Sequence, residues 1–332
     1  MAQHTQVRPT TAAGPHQAVH HHWLYPGLII AVIAGIQALF VFCLGYPMLH
    51  ASPHAVPVGV AGPPAQTAPL EAALVRQPGA FDVRTYPDAA AARAAIRDRD
   101  VYGALTATPR GPELLVASAA SPQVAALLTT EAKAFGRGRP APVTDVVPAP
   151  AKDPEETGAL TTLLPLVLIS VALGAILAHA ERRAWRRLGW CAAAGAAAGL
   201  AVSGVARGLG TFTGHYWADA GVLALLVFGL SACAASLISA RPLRPLGGLF
   251  ALTMLFIGIP SAGALVPAEL LAQPWRAIGP DLPPAAALSA LRGITFFGDA
   301  AIGRPLAVLA CWAGLGALLA ILVPAAVAAR HR

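Results

Sequence analysis

Apolar residues along this chain gather in runs of about 20, the length a helix rising about 1.5 Å per residue needs to cross a hydrocarbon core of about 30 Å. Six such runs stand near 26–49, 158–179, 190–209, 219–240, 247–266 and 305–328. The pattern predicts an α-helical polytopic membrane protein with six transmembrane helices. The first run is longer than the apolar core of a signal peptide, and GYPMLH at its end is a poor cleavage site. It therefore reads as an uncleaved anchor, transmembrane helix 1, over 23–49.

Between the first two runs, over about 50–157, the texture changes. VPVGVA, FDVRTY, DVYGALTAT and ELLVAS have the short, β-rich character of strands, while PDAAAARAAIRD and SPQVAALLTTEAKAFG read as helices. The second helix has Ser121 placed to cap it, Pro122 at its first position and Gly136 after its end. Its Val124, Leu127, Leu128 and Phe135 share one face, as packing on a sheet requires. A small α/β domain is expected here, followed by a Pro-rich return, VTDVVPAPAKDPEE, to a five-helix membrane domain over 158–332.

Charge sets the expected orientation. With the N-terminus inside, the cytoplasmic segments hold nine arginines (Arg8, Arg182, Arg183, Arg186, Arg187, Arg241, Arg244, Arg330, Arg332) against Glu181 alone. The rest of the chain is close to neutral, so the net charge of +7 records topology and implies no nucleic-acid partner. Both termini are expected in the cytoplasm of a multi-pass cell-membrane protein, and the α/β domain outside it.

Composition is otherwise 56% hydrophobic and 12% charged, which leaves few groups for chemistry. The chain's two lysines, Lys133 and Lys152, do not follow glycine, so no P-loop exists. No HExxH or GxSxG occurs; GLSAC at Gly229–Cys233 comes nearest to the latter and fails at its last position. An enzyme is not expected, nor a cofactor or metal on this chain. Cys43, Cys191, Cys233 and Cys311 fall inside predicted spans and imply no disulfide framework. His4, His16, His20, His21 and His22 could ligate a metal, but their Gln-, Thr- and Pro-rich setting over 1–22 reads as a disordered cytoplasmic tail. Arg207 and Asp219 fall where two spans meet the outer surface, which reads as flanking or snorkelling.

Two segments stand out. AERRAWRRLGW, 180–190, gathers Arg182, Arg183, Arg186 and Arg187 around Trp185, as a short amphipathic surface helix or a plain positive-inside loop would. In 257–304 an apolar run meets Pro260, turns small at Ser261–Gly263 and becomes Pro-rich. This second segment reads either as a re-entrant path, or as an extracellular loop carrying an amphipathic helix over 285–297 with Arg292 and Asp299 towards water.

GIPSAGALVPAELL, WRAIGPDLPPAAALSALRGITFFG and RPLAVLACWAGLGALL, together with an anchor and an exported α/β domain, closely resemble the ABC type-2 transporter permeases, within them the branch of the phage infection proteins. The resemblance runs from Trp23 onward. It implies an exporter permease subunit, a homodimer or heterodimer in the lipid bilayer, moving a hydrophobic or amphipathic substrate with a separately encoded ATPase that binds the ATP. It further implies a gate or re-entrant segment at Gly258, Pro260, Ser261, Gly263, Pro267 and Glu269, and an ATPase-coupling loop at Arg182, Arg183, Trp185, Arg186 and Arg187. The N-terminal tail departs from the pattern, since no amphipathic helix precedes the first span. The alternative function is a non-transporting scaffold or surface receptor. Gly195, Gly199 and Ser203 offer a small-residue packing face within the protomer or across a dimer.

Overall fold

The computed structural model describes residues 21–109, 111–135, 141–212 and 214–329. Residues 1–20, with His4, His16 and His20, and Gly136 lie outside them. Helix α1 runs from His21 to Leu49, so it begins just before the anchor expected from Trp23. From His21 to Phe42 the chain is part of a unit by itself, a helix whose Leu28, Ile29, Ile30, Val32 and Ile33 are all exposed. An apolar surface on every side of a helix is what contact with lipid permits.

The unit from Cys43 onward begins with the α/β domain. Strands β1 (Val56–Ala61), β2 (Phe81–Tyr86), β3 (Gly103–Thr108), β4 (Gly111–Val116) and β5 (Val143–Asp145) form one sheet in the order β2-β1-β3-β4-β5. β1 is parallel to β2 and β3, β3 antiparallel to β4, and β4 parallel to β5. Helices α2 (Pro64–Leu74) and α3 (Ala89–Arg97) make the two crossovers, and α4 (Pro122–Phe135) joins β4 to β5.

Because β3 lies on the other side of β1 from β2, the two crossovers run in opposite directions, and equal handedness puts their helices on opposite faces. Packing follows suit. Leu70 and Leu74 of α2 join Val124 and Leu128 of α4 over Val56, Val58, Val60, Leu105 and Leu114. Ala92, Ala95 and Ile96 of α3 pack with Ala61, Ala104 and Leu115 on the other face. The cap of α4 is as expected: the Val124 amide donates to Ser121 Oγ at 3.2 Å. Two elements escaped the sequence pattern, α2, whose Pro64 and Pro69 hide a helix, and the three-residue β5.

Among the described residues five helices are long and apolar enough to cross a membrane: Pro26–Leu49, α5 (Thr157–Ala180), α6 (Ala184–Leu209), α7 (Tyr216–Ser239) and Gly303–Val323 of α11 (Gly303–Ala329). The expected sixth, 247–266, is not among them. Helix α8 (Arg244–Thr253) widens into a π-turn over Met254–Gly258, where the Ile259 amide reaches back to the Met254 carbonyl at 3.0 Å. A 3-10 turn, Pro260–Ala262, then ends in left-handed Gly263, φ +78°. The cause is Pro260, which has no N–H to give and whose ring displaces the carbonyl four residues back, Phe256. That carbonyl instead accepts at 3.0 Å the indole N–H of Trp275, the first residue of the short helix α9 (Trp275–Ile278), and the Ser261 hydroxyl donates to the Ile257 carbonyl.

α7 is the central helix, buried for most of its length. Lipid offers helices no hydrophobic reason to associate, so close approach through small residues must serve. A Cβ on Gly174 of α5 would lie 2.5 Å from the Ser231 carbonyl, one on Gly195 of α6 2.7 Å from that of Ala224, and one on Gly199 2.3 Å from that of Ala220. The Gly195, Gly199 and Ser203 face is thus used inside the chain, against α7. All four cysteines are free thiols.

Candidate functional site

The site is built from the ends of elements. α3 closes in a Schellman turn: the Asp100 amide donates to the Ala95 carbonyl at 2.9 Å and the Arg99 amide to that of Ile96 at 3.2 Å. The residue in the left-handed position of such a turn is usually glycine, but here it is Arg99, φ +63°. A side chain in that conformation costs about 1 kcal/mol or more, and here it is used. Arg99 Nη1 donates to the Ser289 carbonyl at 2.9 Å and Nη2 to Ser289 Oγ at 3.3 Å, both in α10 (Pro283–Phe296), and its guanidinium lies 5.4 Å from the Phe297 ring centre. Burial pulls the Arg99 pKa down from its ordinary value, and the neighbouring Arg292 adds to that.

Three residues on, the Tyr102 hydroxyl donates to Glu269 Oε2 at 2.9 Å. Burial and the Glu269 charge push the phenol up, so it stays a donor. Glu269 is held by a 3-10 turn over Ala268–Leu270, whose backbone is fixed to the chain entering β1: the Ser52 amide donates to the Leu270 carbonyl at 3.0 Å and that of His54 to Glu269 at 2.9 Å.

Below these, Arg292 of α10 is buried, with 7% of its surface exposed. Its Nε donates to Glu156 Oε2 at 2.9 Å and its Nη2 to the same oxygen. Glu156 is itself left-handed, φ +54°, and its Oε1 has no partner among the described residues. Its neighbour Asp153 caps α5, accepting from the Thr157 and Gly158 amides at 2.8 Å each. Burial pushes the Glu156 carboxyl above its ordinary value, with Arg292 pulling against it.

A cavity of about 440 Å³ lies among these groups, between the entering ends of β1 and β3 and the segment 261–305. Arg99, Tyr102, Glu269, Ser289 and Arg292 line it, with alanines and prolines between them.

The gate residues expected from sequence divide. Ser261, Gly263, Pro267 and Glu269 line this cavity. Gly258 is buried against Pro284, whose Cγ would lie 3.3 Å from an added Cβ, and Pro260 faces a separate small hollow with Leu44, Met48 and Leu160. An amphipathic surface helix over 285–297 does not describe α10, which is buried on nearly every side, and Arg292 points away from water because Glu156 neutralises it.

The segment 180–190, where a coupling loop is expected, takes a different form from a separate helix. α5 ends at Ala180 and α6 begins at Ala184, so Trp185, Arg186 and Arg187 are the first turn of a long helix. Arg182, Arg183, Trp185 and Arg186 are exposed, and Arg186 meets Glu181 at 3.3 Å. Arg187 is buried. Arg207 donates to the Gly214 carbonyl at 3.0 Å, as a flanking residue would, whereas Asp219 is buried in the first turn of α7, where the helix dipole favours a carboxylate.

Sequence reasoning missed Arg99, Tyr102, Glu156 and Ser289, and of its two readings of 257–304 the surface-helix one placed Arg292 towards water, where it is not. Two signals were there: α3 lacks a glycine after its last turn, and Arg292 is the lone charge of an otherwise apolar helix. No family model matches this chain, and no curated protein or solved structure matches it either.

Proposed function

We propose that this chain is the membrane-embedded permease subunit of an ABC-type exporter, paired with a second membrane subunit and driven by a separately encoded ATPase. The observation that carries the reading is the break at Pro260. Between α7 and α11 the chain abandons regular helix, satisfies the freed carbonyls with Trp275 and Ser261, and returns as α10 inside the helical half. Irregular backbone at membrane depth is tolerated only where protein or water satisfies it, so this segment is the natural wall of a gated path for an amphipathic cargo. The cavity lined by Ser261, Gly263, Pro267 and Glu269 is its outer vestibule. The exposed Arg182, Arg183, Trp185 and Arg186 form the surface for the ATPase. On this reading the α/β domain is extracytoplasmic, both termini are cytoplasmic, and the chain is not itself an enzyme.

The test is purification of the full chain from its native membrane in mild detergent, with identification of what is retained and measurement of ATP hydrolysis. A stoichiometric P-loop ATPase whose turnover depends on this chain is the expected result. Retention of an envelope or secretion protein without an ATPase would replace the permease with a scaffold or receptor.

A further inference from the structure

Two opposite charges face the same cavity without pairing. Arg99 uses two of a guanidinium's five N–H groups on Ser289 and makes no ion pair among the described residues. Glu269 uses Oε2 on Tyr102, and its Oε1 has no hydrogen-bond partner among the described residues; nor does Glu269 form an ion pair there. Of the other charges at this cavity, Arg292 is matched by Glu156 and Arg304 at the rim by Asp281 at 2.9 Å, while Asp100, which also lines it, is exposed to water and makes no ion pair among the described residues. Groups serving only to hold the fold gain by meeting each other, since leaving a half-buried charge unpaired forgoes a favourable interaction, and both of these side chains are half-buried. Here each is instead fixed by a neutral donor or acceptor, and a left-handed arginine is tolerated to keep one of them in place.

We propose that this cavity binds a zwitterion, with a primary ammonium at Glu269 and a carboxylate or phosphate at Arg99. The space, about 440 Å³, lies in the range of small-molecule sites. Its remaining walls, among them Pro57, Val101, Ala262, Ala285 and Ala286, suit a short aliphatic body. This chemistry comes from two sources, a free amino acid or dipeptide and the headgroup of phosphatidylethanolamine. The inference does not rest on the permease reading, because a receptor could hold the same ligand. Absence of an ATPase partner would leave it standing.

The experiment is titration calorimetry on the full chain in a neutral detergent. The probes are dialanine, N-acetyl-dialanine, dialanine amide, dihexanoyl-phosphatidylethanolamine and dihexanoyl-phosphatidylglycerol. Saturable binding of dialanine, weakened at least tenfold by capping either end, supports the site and a soluble ligand. Binding of the phosphatidylethanolamine at least tenfold tighter than the phosphatidylglycerol supports it with a lipid source. Glu269→Gln keeps an acceptor for Tyr102 and should abolish discrimination between ammonium and capped ligands. Binding of neither zwitterion, equal binding of charged and capped forms, or unchanged discrimination in a folded E269Q protein would overturn the proposal. The ligand series on the wild-type chain decides it even where E269Q does not fold.

Discussion

Arg99 and Ser289 lie 190 residues apart, yet the arginine at the end of α3 donates to both the carbonyl and the hydroxyl of that serine in α10. This contact fixes the rim of the sheet to the helix under the cavity, and it is made from a backbone conformation that favours glycine.

Arg99→Ala keeps the left-handed strain and loses every side-chain contact, whereas Arg99→Gly loses the same contacts and relieves the strain. The glycine variant should be the more stable of the two by about 1 kcal/mol, read as the difference between their unfolding midpoints in detergent. Equal midpoints would mean that the backbone relaxes out of that conformation once the side chain is gone.

Glu156 and Arg292 form a buried pair, so removing one partner strands the other. Glu156→Gln should cost about 3–5 kcal/mol, while replacing both, Glu156→Gln with Arg292→Met, should restore most of the loss. Thermal unfolding of the single and double variants gives the coupling directly. A double variant no better than the single one would show that the pair is not the dominant interaction there.

In α6 the glycines differ in what surrounds them. Gly199→Ala puts a methyl 2.3 Å from the Ala220 carbonyl and should cost about 1–3 kcal/mol, whereas Gly204 has nothing within 4 Å and Gly204→Ala should be neutral or mildly stabilising. Comparable losses at both positions would contradict the packing of α6 on α7.

Trp275→Phe keeps an aromatic side chain, though a smaller one, but leaves the Phe256 carbonyl without its indole donor, so a loss of about 1–3 kcal/mol is expected. The unfolding midpoint measures it, and a change below a few tenths of a kcal/mol would mean that another donor takes over.

Orientation and docking can be checked together. In a cysteine-free background, Val143→Cys on exposed β5 should react with a membrane-impermeant maleimide on intact cells. Replacing Arg182, Arg183 and Arg186 with glutamine, and leaving buried Arg187 alone, should abolish ATPase copurification while Val143→Cys remains labelled. Labelling of Val143→Cys only after permeabilisation would place the domain in the cytoplasm.

The sequence by itself determined the elements whose signal is local. Runs such as TTLLPLVLISVALGAILAHA announce a membrane helix by length and polarity, and VPVGVA and FDVRTY coincide with β1 and β2 because alternation and β-branching act over a few residues. Ser121 capped its helix as expected for the same reason. Only the tertiary structure decided the rest. Pro260 announced a break but not its form, which depends on Trp275 arriving from 19 residues away to satisfy Phe256. Arg292 could be read as a surface charge in one of two ways of taking 257–304, because its partner, Glu156, lies 136 residues upstream. The cavity joins Arg99 and Tyr102 to Glu269, Ser289 and Arg292, and burial together with long-range charge pairing, which brought them there, leaves no periodic trace in the order of residues.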